Sequence, residues 1–255
     1  MFCLNVLINS QAARASKMTR SGVTRVLLAL ALAWPVMNAG AVARAATAAS
    51  GVGPLQVLEL FQSQGCSSCP PANANLMAIA DQRDVLTLSW QVTYWDHLGW
   101  KDSFAQPAFT QRQRDYARSL GHAGVWTPQV VINGRGDVVG AVPADLAQGL
   151  RRYGRSGDAA RIALRPGKVE VSGPAVNGQV YLVRFDPRIV QVPVGAGENA
   201  GRTLPHRNIV REFRLLGTVH GGGVFAAPPA SDPALKTAIL IQDGIAGPIL
   251  AAIRD

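Results

Sequence analysis

LQVLELFQSQGCSSCPPANANLMAIADQ, residues 55–82, is the stretch whose reading decides the fold. Leu55 to Phe61 is a short apolar run of strand-compatible residues, and Asn73 to Gln82 has helical spacing. Between them stand Cys66-Ser67-Ser68-Cys69, followed by Pro70 and Pro71. A dithiol at a strand-to-helix turn is a chemical arrangement as well as a structural one, and the flanking elements test it.

Downstream, Val85 to Val92 reads as a second buried strand, and Pro107 to Leu120 as a helix opened by proline and closed by Gly121. Gln129 to Ile132 and Val138 to Val142 flank Asn133-Gly134, a hairpin signal because both turn positions favour positive φ. Ala144 to Tyr153 supplies a last helix, stopped by Gly154. The order β-α-β-α-β-β-α predicts an α/β fold, a thioredoxin-like domain over residues 54–157 with a central mixed sheet flanked by helices. Beyond it the helical signals fade. Arg161 to Leu164, Lys168 to Ser172, Gln179 to Asp186, Arg207 to Leu216 and Thr237 to Asp243 are strand-like, separated by Gly195 to Gly201, Gly221 to Gly223 and Pro228-Pro229. They predict a small antiparallel β unit over residues 158–255.

Residues 1–45 carry only basic charges, Arg14, Lys17, Arg20, Arg25 and Arg44, around an apolar run from Val26 to Trp34, and end in Ala43-Arg44-Ala45. That is the profile of a cleaved signal peptide, with 46–53 as linker, and it predicts a periplasmic or secreted protein. Met18 is a more ordinary start than Met1, so the first 17 residues read as an upstream start artefact. Removing the leader takes Cys3 with it and leaves Cys66 and Cys69, an even pair suited to an oxidising compartment. Taking its five basic residues from the 25 Lys plus Arg leaves 20 against 16 Asp plus Glu, a net of +4. With no dense basic stripe and no second long apolar run, neither nucleic acid nor a membrane span is expected.

Cys66 and Cys69 have the spacing for disulfide exchange: one sulfur attacks as thiolate and the second resolves the mixed disulfide. The expected companion is Trp126-Thr127-Pro128, whose proline, in the cis form, would pack beside the dithiol while Thr127 offers backbone groups to an extended substrate. The prolines after Cys69 restrict the helix start, so Ser68 is expected as its cap and Cys69 as its first residue. Cys66 then lies just outside the helix, where it should feel less of the dipole, and be less stabilised as a thiolate, than the nucleophile of a strong oxidase. Exchange also requires that Pro128 lie beside Cys66 and that the sulfurs not be sealed in the interior. Three other readings stay open: a static disulfide, two buried thiols, or half a zinc site. Zinc needs two further ligands, and His97, His122, His206 and His220 have no paired spacing, so no metal or cofactor is expected. Copper held by the two thiolates and a histidine is a weaker alternative.

Tyr94-Trp95-Asp96-His97-Leu98-Gly99-Trp100-Lys101-Asp102 is a dense aromatic and ionisable run in loop context. Tyr94, Trp95, Asp96, His97 and Trp100 are expected to wall a pocket near Cys66, with Asp96 or His97 able to move protons; the competing reading is a packed plug with His97 on a backbone carbonyl. Gln111, Arg112, Gln113, Arg114 and Arg118 are expected as a solvated helix face.

Several stretches resemble the secreted family known as domain of unknown function 1223. They are Phe61 through Pro71, Tyr94-Trp95-Asp96 through Trp100-Lys101-Asp102, Thr110-Gln111-Arg112-Gln113, Thr127-Pro128-Gln129-Val130 with Asn133-Gly134, Gly197-Glu198-Asn199-Ala200-Gly201-Arg202-Thr203-Leu204 and Asn208-Ile209-Val210-Arg211-Glu212. The resemblance implies a thioredoxin-like first part and an appended β unit, and carries no established reaction. Function is therefore argued from the site. The expectation is thiol-disulfide exchange at Cys66 and Cys69 with a periplasmic protein or a small-molecule thiol or disulfide; the alternative is a binding module with a permanent disulfide. The Glu198-Asn199 loop and Arg202 either close over the dithiol or only shape a hairpin, the second being expected.

Overall fold

A computed structural model describes residues 53–255. The leader expected over 1–45, and the linker up to residue 52, lie outside them. Strand β1 (Gln56–Gln62) is buried along nearly its whole length, as a central strand must be, and pairs in parallel with β2 (Val85–Gln91) and antiparallel with β3 (Gln129–Ile132). The hairpin from β3 to β4 (Gly136–Val138) turns at Asn133 and Gly134, with φ of 53° and 63°. Helix α1 (Cys69–Ile79) starts and ends earlier than its spacing predicts, with Ser68 at its cap. Helices α2 (Pro107–Ser119) and α3 (Pro143–Tyr153) lie where expected, each with proline in its first turn. The strand expected over Val138 to Val142 ends at Val138, because Gly140 takes φ of 76°.

The second half is β5 (Arg161–Arg165), β6 (Lys168–Asp186), β7 (Val190–Pro193), β8 (Thr203–His206), β9 (Ile209–Ala226), β10 (Lys236–Gln242) and β11 (Ile249–Arg254). Its strands continue the sheet of the first half and do not close a sheet of their own. The order is β11-β10-β6-β9-β2-β1-β3-β4, with β5 on β6, and the join is a short parallel pairing of Ser89 with Ile209. Asn208, at φ of 52°, fixes that join by donating from Nδ2 to Thr87 Oγ1 at 2.8 Å while its carbonyl accepts from Ser89 N at 2.9 Å. The result is a mixed α/β fold with a central mixed sheet and few helices. None of the helices among the described residues is long and apolar enough to cross a membrane. Strands β7 and β8 stand outside the sheet as a two-stranded ribbon.

Alternation along β1 divides the core. Leu58 and Leu60 pack with Ala72 and Leu76 of α1 and Leu146 of α3, whereas Val57 and Phe61 join Trp90, Phe109 and Tyr116 on the α2 side. A third cluster, including Val169, Leu182 and Ile239, fills the β-rich half. Glu59 also falls on the α2 side, fully buried. The fold answers that charge with Arg112, whose Nε and Nη2 donate to the two Glu59 oxygens at 2.6 and 2.8 Å, and with the Tyr116 hydroxyl at 2.5 Å. Gln242 of β10 closes the network by donating to Tyr116 Oη at 2.9 Å. The solvated face expected over α2 is therefore wrong for Arg112 and Gln113, 3% and 0% exposed. A carboxylate buried on a neighbouring strand required the cation.

Candidate functional site

The chain leaves β1 and turns tightly: Cys66 N donates to Ser63 O at 3.2 Å and Cys69 N to Cys66 O at 3.3 Å. Both cysteines are free thiols. Thr127 reaches the turn from the far side, its hydroxyl donating to Cys66 Sγ at 3.3 Å, and the Thr127–Pro128 bond is cis. The Ser68 hydroxyl lies 3.2 Å from the same sulfur. Trp95 Nε1 donates to Thr127 Oγ1 at 2.8 Å, which leaves the Thr127 hydrogen free to point at Cys66. The sequence-predicted Cys66, Cys69, Thr127, Pro128 and Trp95 are thus brought together.

These donors set the charge of the pair. The Cys69 thiol, chiefly, then the Ser68 and Thr127 hydroxyls, favour the Cys66 thiolate and overcome burial, bringing its pKa from 9.0 down to about 6. Cys69 moves well above the thiol range, because burial and then the anion beside it hold its proton. One cysteine is prepared as nucleophile and the other as a proton-holding partner. Cys66 does lie outside α1, as expected, and a thiol at about 6 is less stabilised than the nucleophile of a strong oxidase, at about 3.5. Pro70 and Pro71 do strip donors from the first turn of α1, as expected, but the stabilising groups come from Cys69, Ser68 and a threonine 61 positions away.

The β7–β8 ribbon lays its connecting loop over the same turn. Asn199, fully buried, donates from Nδ2 to Gln64 O at 2.9 Å and Cys66 O at 2.8 Å, and its own oxygen accepts from Arg202 Nη1 at 2.6 Å. Glu198 Oε2 accepts from Ser67 N at 2.9 Å and Ser67 Oγ at 2.8 Å, which lowers its pKa. Gly197 shapes this approach through its φ of 76°, a left-handed conformation that favours glycine. The hairpin-only reading of this loop is overturned. A polar pair among glycines in Gly197-Glu198-Asn199-Ala200-Gly201 was the available signal, with nothing near it in the chain to name its partner.

With this cover Cys66 has no exposed surface. Cys69 is 1% exposed, so the expectation of open sulfurs fails in this closed arrangement, although Ser67, Ser68 and Glu198 around the turn are exposed. The aromatic run packs against both the turn, through Trp95 beside Gly65, and the covering loop, through Trp100 beside Gly195 and Gly197. Trp100 Nε1 donates to Gln64 Oε1 at 2.8 Å, and buried Asp102 accepts from Gln64 N at 2.7 Å. Burial pushes Asp102 up to about 6, with Asp96 adding to the shift, and pushes Tyr94 up to about 12. Asp96 Oδ1 accepts from Asp102 N at 3.2 Å, and exposed His97 sets Nδ1 2.7 Å from Tyr94 O. Neither Asp96 nor His97 has a hydrogen bond to the dithiol. Among the described residues no group of three or more His, Cys, Asp or Glu could hold a metal ion.

The model of the family described as "Protein of unknown function (DUF1223)" matches residues 57–242, from β1 through β10. The chain belongs to the DUF1223 family. Among solved structures it is similar to protein AGR_C_4864 from Agrobacterium tumefaciens, with 31% identity and a TM-score of 0.66 over 79% of this chain and 94% of that one. It is also similar to HBP35 of Porphyromonas gingivalis, with a TM-score of 0.51 over 80% of this chain and 75% of that one; at 14% identity this is a likeness of fold alone. No curated protein matches the chain. The DUF1223 match spans both the Cys66 turn and the Asn199 loop that clasps it.

Proposed function

We propose that this DUF1223 protein is an exported thiol-disulfide exchange protein, built in its first half on a thioredoxin-like pattern and acting in the periplasm. The reading of export rests on residues 1–45 as a leader. The thioredoxin-like reading is supported by a dithiol between β1 and α1 and by a cis prolyl bond opening β3 beside it. The observation that carries the function is the convergence of the Ser68 and Thr127 hydroxyls on Cys66 Sγ, with two residues between Cys66 and the second cysteine of the turn.

In the reductive direction the Cys66 thiolate attacks one sulfur of a substrate disulfide, forming a mixed disulfide and releasing the other sulfur as thiolate. Cys69 passes its proton to the released thiolate and attacks Cys66 Sγ; the substrate leaves as its second thiolate, reduced by two electrons, and Cys66 and Cys69 are left as a disulfide. The reverse sequence oxidises a substrate dithiol. Substrates of this chemistry are a periplasmic protein or a small-molecule thiol or disulfide. The cover over Cys66 requires the Glu198–Ser67 contacts to open before attack.

Replacing Cys69 by Ser should trap mixed disulfides on Cys66 from a periplasmic extract; an empty trap with protein shown to be folded and reduced overturns exchange. A second reading is favoured by the absence of exposed Cys66 surface: a binding module in which Cys66 and Cys69 form a permanent disulfide. In that case the bond resists mild thiol reductants, and Cys-to-Ser variants lose stability but keep their ligand. The reduction potential separates the two, with an exchanger falling between about −120 and about −270 mV and a structural bond below about −300 mV.

A further inference from the structure

Helix α1, Cys-Pro-Pro-Ala-Asn-Ala-Asn-Leu-Met-Ala-Ile, contains no charged residue. A surface helix ordinarily carries charge on its solvent side. Here Ala74 and Ala78 are exposed and Met77 is half-buried beside them. They face β8 across a groove of about 490 Å³, within the range of small-molecule sites. One end of the groove is closed by Ser63 and Cys69, and exposed Arg202 stands at its rim. Asn73 bridges the two walls, donating to Pro205 O at 2.7 Å.

His206 also lines this groove. It is 2% exposed, and neither ring nitrogen has a hydrogen-bond partner. Phe104 packs edge-on against the ring, with centroids 6.2 Å apart. A buried polar side chain without a partner is rare in a folded chain. Such burial holds the imidazole neutral, with a pKa near 4, so it offers one N–H donor and one acceptor nitrogen. An ammonium would find no anion in this lining, and the one cation, Arg202, is exposed and already donates to Asn199 Oδ1 at 2.6 Å.

We propose that the groove between α1 and β8 is a binding site for a small apolar alcohol or phenol, whose hydrocarbon body lies against Ala74, Met77 and Ala78 and whose hydroxyl pairs with His206. Both His206 nitrogens are buried, so the pairing requires the ring to turn toward the groove when the occupant enters. The site needs no redox step, and it stands if the dithiol proves structural.

The test compares naphthol with naphthalene, the same ring without its hydroxyl, by fluorescence titration of the full chain. Saturable binding at one site is expected, with naphthol about tenfold tighter, the worth of one buried hydrogen bond. His206→Phe should abolish the tenfold preference. Ala78→Trp fills the groove from an exposed position and should remove binding of both probes; Ala74→Leu does the same should the larger variant not fold. Absence of saturable binding, or binding unchanged in a folded groove-filling variant, overturns the site. Equal affinities for the two probes, or a preference that survives His206→Phe, overturn the assignment of ligand class.

Discussion

Asn199 Nδ2 donates to the backbone carbonyl of Cys66 at 2.8 Å across 133 residues of chain. The turn that aims one sulfur is thus held by a side chain from the β-rich half, and the two halves meet in the dithiol as well as in the sheet. Exchanging Asn199 for Ala leaves Gln64 O and Cys66 O without that donor in a buried setting, and frees Arg202. The expected cost is about 1–3 kcal/mol of stability. Chemical denaturation of the reduced variant measures it, and a loss within experimental error would mean that the clasp is decorative.

Thiolate titration tests the electrostatics of the turn. Cys66 should ionise with a midpoint near 6. Cys69→Ala should raise the midpoint most, since the Cys69 thiol is the largest stabiliser, while Ser68→Ala and Thr127→Val each raise it less. Trp95→Phe should act in the same direction through Thr127, by freeing its hydroxyl to turn away from the sulfur. Ultraviolet absorbance of the thiolate follows each midpoint. A Cys69→Ala midpoint unchanged from the parent would remove the physical basis for calling Cys66 the nucleophile.

Much of this was legible in the residues, and the failures have physical causes. The cap at Ser68 and the turn at Asn133-Gly134 are local matters, set by proline, glycine and spacing over a few positions, whereas the cis bond at Pro128 was expected from the order of strands and helices. Arg112 was misread because its partner, Glu59, lies 53 residues away in a strand that looks merely apolar. Strands β7 and β8 carry Pro193 and Pro205, which mask strand character, and they form an off-sheet ribbon where a missing donor is tolerated. Gly221 to Gly223, read as a break, lie inside β9. A Cβ on Gly222 would come within 3.1 Å of Val171 O on the paired strand. The clasp of Asn199 on Cys66 is a long-range contact between two loops, and periodicity carries no trace of such contacts.

The Glu59–Arg112 pair should show the asymmetry of buried charge. Arg112→Ala removes the bidentate partner and leaves a carboxylate in a site where Trp90 and Phe213 surround the lost guanidinium at 5.1 and 4.7 Å. The expected loss is about 3–5 kcal/mol, and Arg112→Lys should recover only part of it, for want of the planar fork. Adding Glu59→Gln to Arg112→Ala should restore stability relative to the single change, because the orphaned charge is gone. A double variant less stable than Arg112→Ala would contradict this account.

Two groups at the turn titrate near the same pH with opposite consequences for stability. Cys66 has a folded pKa below its ordinary 9.0, so its contribution is complete above that value and is lost as pH falls through about 6. Asp102 has a folded pKa above its ordinary 3.8. It binds more protons folded than unfolded, so its contribution is complete below 3.8 and is lost as pH rises through about 6. At full ionisation that difference corresponds to about 3 kcal/mol. The buried His206, lowered from 6.5 to about 4, acts in the opposite sense over this range, so in a Cys66→Ser, His206→Phe background stability should decline between pH 4 and 6 through Asp102. Adding Asp102→Asn should flatten that decline while weakening the hold on Gln64 N. Denaturation across this pH range decides it, and a slope that survives the substitution would assign the titration to a group other than Asp102.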